Sequence, residues 1–244
     1  MRHLGADDLY GVLAVLEEVE GIEGDVAMRQ NTLAALQRHF GYDRSNFFLA
    51  PPLKSGRWPT DGVGLNLSAD VIERYSTETG SRSIFLSSQA STIFRTRGVV
   101  TLGELLPVVG RDHRLYAQDF LFPNGIRDQL TVWLPSSAHI HGYISLVSAQ
   151  RGTFSDRDID LLGALRPHLS FLLAQKLSLT RMAQASAPLT ARERQISTFI
   201  ADGLTNRQIA RQLTITEDTV KKHVSNAMLK LNLRNRTQLA LHVR

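Results

Sequence analysis

Apolar residues recur at helical spacing through the last quarter of the chain. Over residues 189–244 this spacing predicts four short helices, and the first three of them share a core. In chain order, the predicted core residues are Ile196, Phe199, Ile200, Ile209, Ala210, Leu213, Val220, Val224, Ala227 and Leu231. Each helix also has a start signal, a side-chain oxygen that can accept a hydrogen bond from an amide of the first turn. The cap residues are Thr190, Thr205, Thr216 and Asn235, and Glu193 and Gln208 complete capping boxes in the first two helices.

The third of these helices carries the candidate chemistry. It follows the second after residues 214–216 alone, a connection short enough for the steep crossing of a helix-turn-helix. If its apolar residues point inward, its outer side carries Asp218, Lys222, Ser225 and Leu229, with Lys221 and Asn226 beside them. Ammonium, hydroxyl and amide groups in this position can read base edges and phosphates in the major groove of DNA. The pattern therefore predicts a helix that contacts DNA.

Residues 189–236 resemble the DNA-binding domain of the LuxR/NarL (FixJ) family of bacterial transcriptional regulators. The matching residues are Leu189, Thr190, Arg192, Glu193, Gly203, Leu204, Asn206, Ile209, Ala210, Leu213, Thr219, Val220, Lys221, His223, Asn226, Lys230, Leu231, Arg234 and Arg236. The resemblance covers about a quarter of the chain. It implies that the partner is a double-stranded DNA operator and that the protein works with RNA polymerase.

From this resemblance and the helix geometry, we expect two kinds of DNA contact. Base edges are assigned to Lys222, Ser225 and Asn226, with Lys221 serving base or phosphate. Phosphate contacts, which fix register without reading sequence, are assigned to Thr205, Asn206, Arg207, Thr219, Lys230, Arg234 and Arg236. One small domain contacts few base pairs, so we expect a homodimer that binds paired half-sites. Leu239 and Val243, one turn apart in the last helix, are candidates for its interface.

The front part of the chain changes from helical to strand-like spacing. Two amphipathic helices are predicted before residue 40, the first with Leu9, Val12, Leu13 and Leu16 and the second with Leu33, Leu36 and Phe40 on the apolar side. Short β-branched and aromatic runs predict strands at 47–49, 64–67, 130–134 and 143–147. Ser155 and Asp158 then cap a long helix with apolar residues Ile159, Leu162, Leu165, Leu169, Leu172 and Leu173.

This order of elements favours an α+β domain, an antiparallel sheet with flanking helices of the GAF/PAS type. Segments 119–125, 142–146, 154–156 and 165–169 are also similar to the sensor half of many LuxR-family regulators. We therefore expect a sensor and dimerisation domain over 1–177 and an all-α four-helix DNA-binding domain over 189–244. Residues 178–188 are predicted to be a linker, because apolar periodicity lapses there before Pro188.

The predicted sensor domain suggests a small-molecule effector held between the sheet and its helices. The candidate lining residues are Trp58, Tyr75, Phe94, Tyr116, Phe120 and Trp133. The alternative is a quorum-sensing receptor for an acyl-homoserine lactone. Such receptors of the LuxR group carry a tryptophan, a tyrosine four residues on and an Asp-Pro pair nine after that. The corresponding positions here hold Val71, Tyr75, and Ile84 with Phe85, so only the tyrosine is kept.

Charge and composition narrow the function classes. The net charge of +5 is uneven, since ten basic and four acidic residues lie from Ala187 onward and the rest of the chain is slightly acidic. This basic end favours phosphate contact. There is no cysteine and no long apolar run, so we expect a cytosolic protein without a membrane anchor. His139 and His141 share one face of a strand and could bind zinc in a metal-dependent enzyme. They lack a clear third ligand, so we predict no catalytic site, metal or cofactor.

Overall fold

The computed structural model describes residues 3–50, 61–79, 82–136, 140–186, 188–231, 233 and 235–243. The chain divides into two compact units, Met1–Leu177 and Ser178–Arg244. The N-terminal unit carries the strands β1 (Ser45–Ala50), β2 (Asp61–Leu65), β3 (Val99–Thr101), β4 (Asp128–Pro135) and β5 (His141–Ser148). Its helices are α1 (Ala6–Glu20), α2 (Asp25–Phe40), α3 (Ala69–Arg74), α4 (Ser88–Thr96), α5 (Leu102–Leu105), α6 (Arg111–Tyr116) and α7 (Asp156–Ser186). A π-turn extends α3 over Tyr75–Thr79 and another extends α6 over Ala117–Leu121, and a 3-10 turn covers Ile84–Leu86.

The five strands form one antiparallel sheet in the order β2-β1-β5-β4-β3. Because side chains alternate along a strand, the sheet separates two cores. The first core lies against α1, α2 and α7 and includes Phe47, Leu130 and Leu146. The second core lies against α3 to α6 and includes Phe94 and Val147. The expected α+β architecture is confirmed, with the short strand β3 in addition to the predicted strands.

Helix α1 buries only part of the apolar side predicted for it, since Val12 is buried and Leu16 packs against the first core. Val12, Val15 and Val19 are its buried apolar side chains, whereas Leu9 is 46 % and Leu13 is 62 % exposed. The spacing of the three valines is that of a narrow seam between helices, not of a broad amphipathic face. Helix α1 also comes close to α2 at Gly11, where a Cβ would lie 2.7 Å from the Phe40 ring.

Helix α7 begins with the predicted cap and continues beyond the predicted end. Asp158 accepts hydrogen bonds of 2.8 Å from both the backbone N–H and the hydroxyl of Ser155. The helix then runs for 31 residues to Ser186, through most of the stretch that we expected to be a linker. Residues 178–186 contain neither glycine nor proline, so backbone propensity carries the helix on after its apolar periodicity has lapsed.

The C-terminal unit contains α8 (Ala191–Ala201), α9 (Asn206–Leu213), α10 (Glu217–Lys230) and α11 (Arg236–Val243). Thr190, Thr205 and Thr216 each accept a hydrogen bond from a first-turn amide, as predicted. The turn between α9 and α10 passes through Thr214, whose φ of 53° is left-handed. Buried in the shared core are Ile196, Ile200, Ile209, Ala210, Val220, Val224, Ala227 and Leu239. In the described ranges, none of the helices combines the length and apolar character that a bilayer crossing requires.

Candidate nucleic-acid and ligand sites

Helix α10 presents the polar side that the sequence predicts. Val220, Val224 and Ala227 face the core, which leaves Lys222 and Ser225 exposed on the outer side. Three further predicted contacts lie around them: Lys221 is exposed, while Thr219 and Asn226 are half-buried. The Lys221 ammonium donates to Asp218 over 2.7 Å, and the Thr219 and Thr216 hydroxyls lie 2.8 Å apart. The outer side therefore offers two ammonium groups, hydroxyls and an amide at spacings suited to base edges and phosphates.

Lys230, which we expected at a phosphate, is engaged inside the domain. Its ammonium lies 2.7 Å from a carboxylate oxygen of Glu193 and 3.3 Å from the carbonyl oxygen of Pro188. The Lys230 side chain is 12 % exposed and that of Glu193 is 4 % exposed. Burial opposes ionisation of Glu193, but hydrogen bonds from Lys230 and Thr190 outweigh it and lower the pKa of this carboxyl. Lys230 thus ties the end of α10 to the start of α8.

Arg236 and Asn206, also predicted at phosphates, bind each other. The Arg236 guanidinium donates to the Asn206 side-chain oxygen over 2.8 Å and also to the carbonyl oxygen of Leu204. This arrangement connects α11 to the start of α9 and uses the guanidinium for structure. It leaves the Asn206 amide nitrogen as the group that can still reach a phosphate. Arg234, the remaining arginine of that prediction, lies outside the described residues.

The start of α9 keeps two of the predicted phosphate contacts at the surface. The Thr205 hydroxyl donates to Gln208 over 2.8 Å and accepts from the Gln208 N–H over 3.3 Å, so it caps the helix. Arg207 is exposed and, with Arg211, lines an open groove of about 500 Å³ beside the turn that precedes α10. Phosphates commonly contact exposed arginines and helix N-termini.

Leu239, a predicted dimer contact, is instead fully buried in the core of the C-terminal unit. It is buried because α11 packs against α8. The side chain of Val243 is outside the description. Among the described side chains of α11, Leu241 is apolar and exposed, at 67 %.

The aromatic residues predicted to line a ligand pocket lie mainly against one another in the second core. Ring centroids are 6.0 Å apart for Tyr75 and Phe120 and 5.5 Å apart for Tyr116 and Phe120. Phe94 lies 5.9 Å from the ring of Tyr143. Trp133 lies near the end of β4, where its ring contacts the His141 ring. Trp58 falls outside the described residues.

Two small cavities lie on this side of the sheet. The first, of about 10 Å³, is lined by Phe48, Tyr75, Phe85, Leu86, Thr131, Tyr143 and Ser145. The second, of about 20 Å³, is lined by several of the same residues and by Tyr116 and Phe120. Such volumes hold one or two water molecules, so a larger ligand requires the second core to open. Sequence reasoning missed the polar lining, Thr131 and Ser145, although alternation within β4 and β5 places both on this face.

The predicted histidine pair gives no metal site in the described residues. His139 lies outside them, and burial lowers the pKa of His141, which favours its neutral form. In the described part of the chain, no three His, Cys, Asp or Glu side chains are grouped as metal ligands would be.

Comparison with known proteins identifies the C-terminal unit. Residues 187–243 match the family model described as bacterial regulatory proteins, luxR family. This unit therefore belongs to the luxR family of DNA-binding domains. The nitrate/nitrite response regulator NarL of Escherichia coli K12 is 51 % identical over 55 residues, which are 22 % of this chain and 26 % of NarL.

Similarity also extends into the N-terminal unit. The monoamine regulon transcriptional regulator of Klebsiella aerogenes is 32 % identical over 139 residues, 57 % of this chain and 60 % of that protein. The chain thus spans less than two thirds of these relatives. A crystal structure of the N-acylhomoserine-lactone-dependent LuxR-family transcription factor CepR2 from Burkholderia cenocepacia aligns with a TM-score of 0.51 and 16 % identity. The alignment covers 71 % of this chain and 99 % of the crystallised CepR2 chain, and it shows a shared fold.

Proposed function

We propose that this chain is a sequence-specific DNA-binding transcriptional regulator. The observation that carries the proposal is the outer side of α10, where Lys222 and Ser225 are exposed on a helix whose inner side forms the core of a luxR-family domain. A helix held in this way can enter the major groove with its polar side toward the base edges. The protein then acts by binding, not by catalysis, and its relatives are transcriptional regulators.

The contacts divide by position on the domain. Lys222, Ser225 and Asn226 read base edges in this proposal, and Lys221 serves base or phosphate. Phosphates are contacted by Thr205, Asn206, Arg207 and Thr219 near the starts of α9 and α10, with Arg234 kept from the sequence prediction. Lys230 and Arg236 are omitted, because both side chains are held by partners within the domain.

Two copies of the chain bind paired half-sites, since one domain contacts few base pairs. The exposed Leu241 replaces Leu239 as the apolar residue of α11 that can meet a second copy. RNA polymerase is the further partner, through which a bound regulator affects transcription. The N-terminal unit senses a small molecule in the second core and adjusts DNA binding.

An acyl-homoserine lactone remains the alternative effector. The fold shared with CepR2 is compatible with it, but cavities of about 10 and 20 Å³ do not hold a lactone with its acyl chain unless the second core opens. The aromatic side chains that fill this core, Tyr75, Tyr116 and Phe120, occupy the volume that such a ligand needs.

Selection of random duplex DNA by the full-length protein at one fixed salt concentration tests the DNA-binding proposal. We expect enrichment of one motif with two-fold symmetry, because a dimer contacts two half-sites. Affinity for the enriched motif and for random DNA should both fall with salt, and the motif should stay preferred. Retention of DNA without enrichment of any motif would contradict sequence-specific regulation.

A further inference from the structure

The side of the sheet that faces the second core carries a row of polar side chains. Gln129 and Thr131 lie on β4, and Ser145 lies on β5 directly opposite Thr131. The Gln129 amide donates to the Thr131 hydroxyl over 3.1 Å, and the Thr131 and Ser145 hydroxyls are 3.0 Å apart. These three buried side chains, the inner polar row, therefore satisfy one another.

The same row continues toward the turn between β4 and β5 with three side chains that are not satisfied. Trp133 pairs with Tyr143 across the two strands, and His141 lies two residues before Tyr143 on the same face. The Trp133 Nε1, the His141 Nδ1 and the Tyr143 hydroxyl are all buried, and none finds a hydrogen-bond partner among the residues that the structure describes. We call Trp133, His141 and Tyr143 the hairpin-end cluster.

Three unpaired buried polar atoms on neighbouring side chains are unusual, because native proteins pair nearly all such groups. An inner polar row that is fully paired lies beside them on the same two strands. The difference indicates that a bound molecule supplies the hydrogen-bond partners of the hairpin-end cluster, whereas the inner polar row needs none.

A positive charge adjoins this cluster. The Arg166 Nε donates to the Trp133 carbonyl oxygen over 2.8 Å, and its guanidinium carbon lies 5.6 Å from the centre of the Trp133 ring. Burial lowers the pKa of Arg166. Within the described residues, none of the ion pairs includes Arg166.

The available groups define the chemistry of the missing partner. The indole N–H and the guanidinium can only donate hydrogen bonds, while the phenol and the imidazole can donate or accept. A cluster dominated by donors beside a cation fits an anion with oxygen acceptors. Aromatic side chains, Phe94 at Tyr143 and Phe48 and Phe85 around the adjoining cavity, fit an apolar ring.

We propose that the hairpin-end cluster and Arg166 bind the carboxylate of a small aromatic acid, with its ring directed into the cavity between Phe48 and Phe85. The proposal rests on the sensor role of the N-terminal unit and names the class of its effector. The cavity of about 10 Å³ must widen to admit the ring. The acid contacts the guanidinium, the indole N–H and the Tyr143 hydroxyl.

Tryptophan fluorescence provides a direct test on the full-length protein. The chain has two tryptophans, so a Trp58→Phe variant leaves Trp133 as the sole reporter. Benzoate and phenylacetate are titrated at neutral pH, with benzamide and phenylacetamide as neutral controls of the same shape. We expect saturable quenching by an acid, with binding at least about tenfold tighter than that of its amide.

Two further variants separate ligand binding from structure. Tyr143→Phe removes a hydroxyl that has no partner in the described structure, so the protein without ligand should unfold at the same or a higher temperature. The same variant should bind the acid several-fold more weakly, and Arg166→Gln should abolish the preference for acid over amide. Tyr10→Phe, at a side chain that is 72 % exposed, is the matched control and should change neither property.

Several outcomes would overturn the proposal. These are no saturable signal up to the solubility limit of either acid, equal affinity for acid and amide, or unchanged affinity in both Tyr143→Phe and Arg166→Gln. DNA selection is run on the same preparation. A protein that enriches a DNA motif but binds no acid contradicts the effector site alone, whereas a protein that binds the acid and enriches no motif contradicts the regulator proposal alone.

Discussion

In the C-terminal unit, Lys222 and Ser225 stand on the outer side of a helix, whereas in the N-terminal unit Thr131 and Ser145 lie inside a core. In the interior of the C-terminal unit, the charged groups of Glu193 and Lys230 are paired with each other. In the interior of the N-terminal unit, by contrast, the hairpin-end cluster has buried polar atoms without hydrogen-bond partners in the described structure.

This difference corresponds to two kinds of recognition surface. A surface that reads DNA is already exposed before DNA binds, and paired groups in the core beneath it keep it rigid. A surface that senses a small molecule is enclosed, so its polar groups lose water on folding and gain partners when a ligand binds.

The largest effect is expected from Glu193→Ala. The substitution removes the carboxylate that binds Lys230 and caps α8, and it leaves a nearly buried ammonium without its partner. Breaking a buried pair in this way costs about 3–5 kcal/mol. Chemical denaturation with a probe in the C-terminal unit should show this loss, and DNA binding should fail at temperatures where the N-terminal unit is still folded.

Glu193→Gln is the matched control. It keeps the capping box, since glutamine can still accept from the Thr190 N–H, but it removes the charge. We expect a smaller loss than with alanine. If both variants are as stable as the original protein, the stability of the C-terminal unit does not depend on the pairing of Glu193 with Lys230.

The next effect concerns sequence reading by the exposed side of α10. Lys222→Ala should weaken binding to the selected motif by about 1–3 kcal/mol and should change the preferred bases, while binding to random DNA changes little. Competition binding with the motif and with scrambled duplexes measures both effects. Lys176→Ala, in α7 of the N-terminal unit, is the control and should leave them unchanged.

Arg207→Ala provides the contrasting variant, because Arg207 is proposed to contact phosphate. It should weaken binding to all sequences alike and reduce the slope of log affinity against log salt by about 1. Equal losses on motif and scrambled DNA in both Lys222→Ala and Arg207→Ala would remove the distinction between base and phosphate contacts.

The features of the C-terminal unit that could be predicted from the sequence are those set by interactions between residues close together in the chain. The caps of α8 to α10 act within three residues, as in the 3.2 Å bond from the Glu193 N–H to Thr190, so the helices and the outer side of α10 could be read from spacing. Lys230 and Arg236 find partners 37 and 30 residues away in the chain. Nothing in the local pattern distinguishes these two from arginines and lysines that face DNA.

The ligand-lining residues stay a prediction, and the limit of the sequence is of another kind there. Aromatic residues such as Tyr116 and Phe120 are easy to identify, but their size alone does not show that they pack against one another. The polar side chains of β4 and β5 carry more information, and their meaning depends on strand register. Thr131 opposite Ser145 is satisfied, while Trp133 opposite Tyr143 is not, and the register had to be known before this contrast could be seen.

A moderate effect is expected where the inner polar row is broken. Thr131→Val leaves the Ser145 hydroxyl and the Gln129 amide without a shared partner, which should destabilise the N-terminal unit by about 1–3 kcal/mol. Adding Ser145→Ala and Gln129→Leu removes the two polar groups that Thr131→Val leaves without a partner, so part of the lost stability should be recovered. Thermal unfolding of the single and triple variants measures this. A triple variant less stable than the single one would show that the row is not a self-contained network.

The smallest effect is the response of the C-terminal unit to acid. Hydrogen bonds from Lys230 and Thr190 hold the pKa of Glu193 below its usual value despite burial. The ionised carboxylate is therefore favoured in the folded state, and its stabilisation is fully present above the unfolded pKa of about 4.3 and is lost as pH falls through the lower folded value. Glu193→Gln cannot titrate, so the difference in unfolding midpoint between the original protein and this variant should be constant near neutral pH. It should shrink below about pH 4. A difference that stays the same through this range would mean that the carboxylate contributes through its shape and hydrogen bonding and not through its charge.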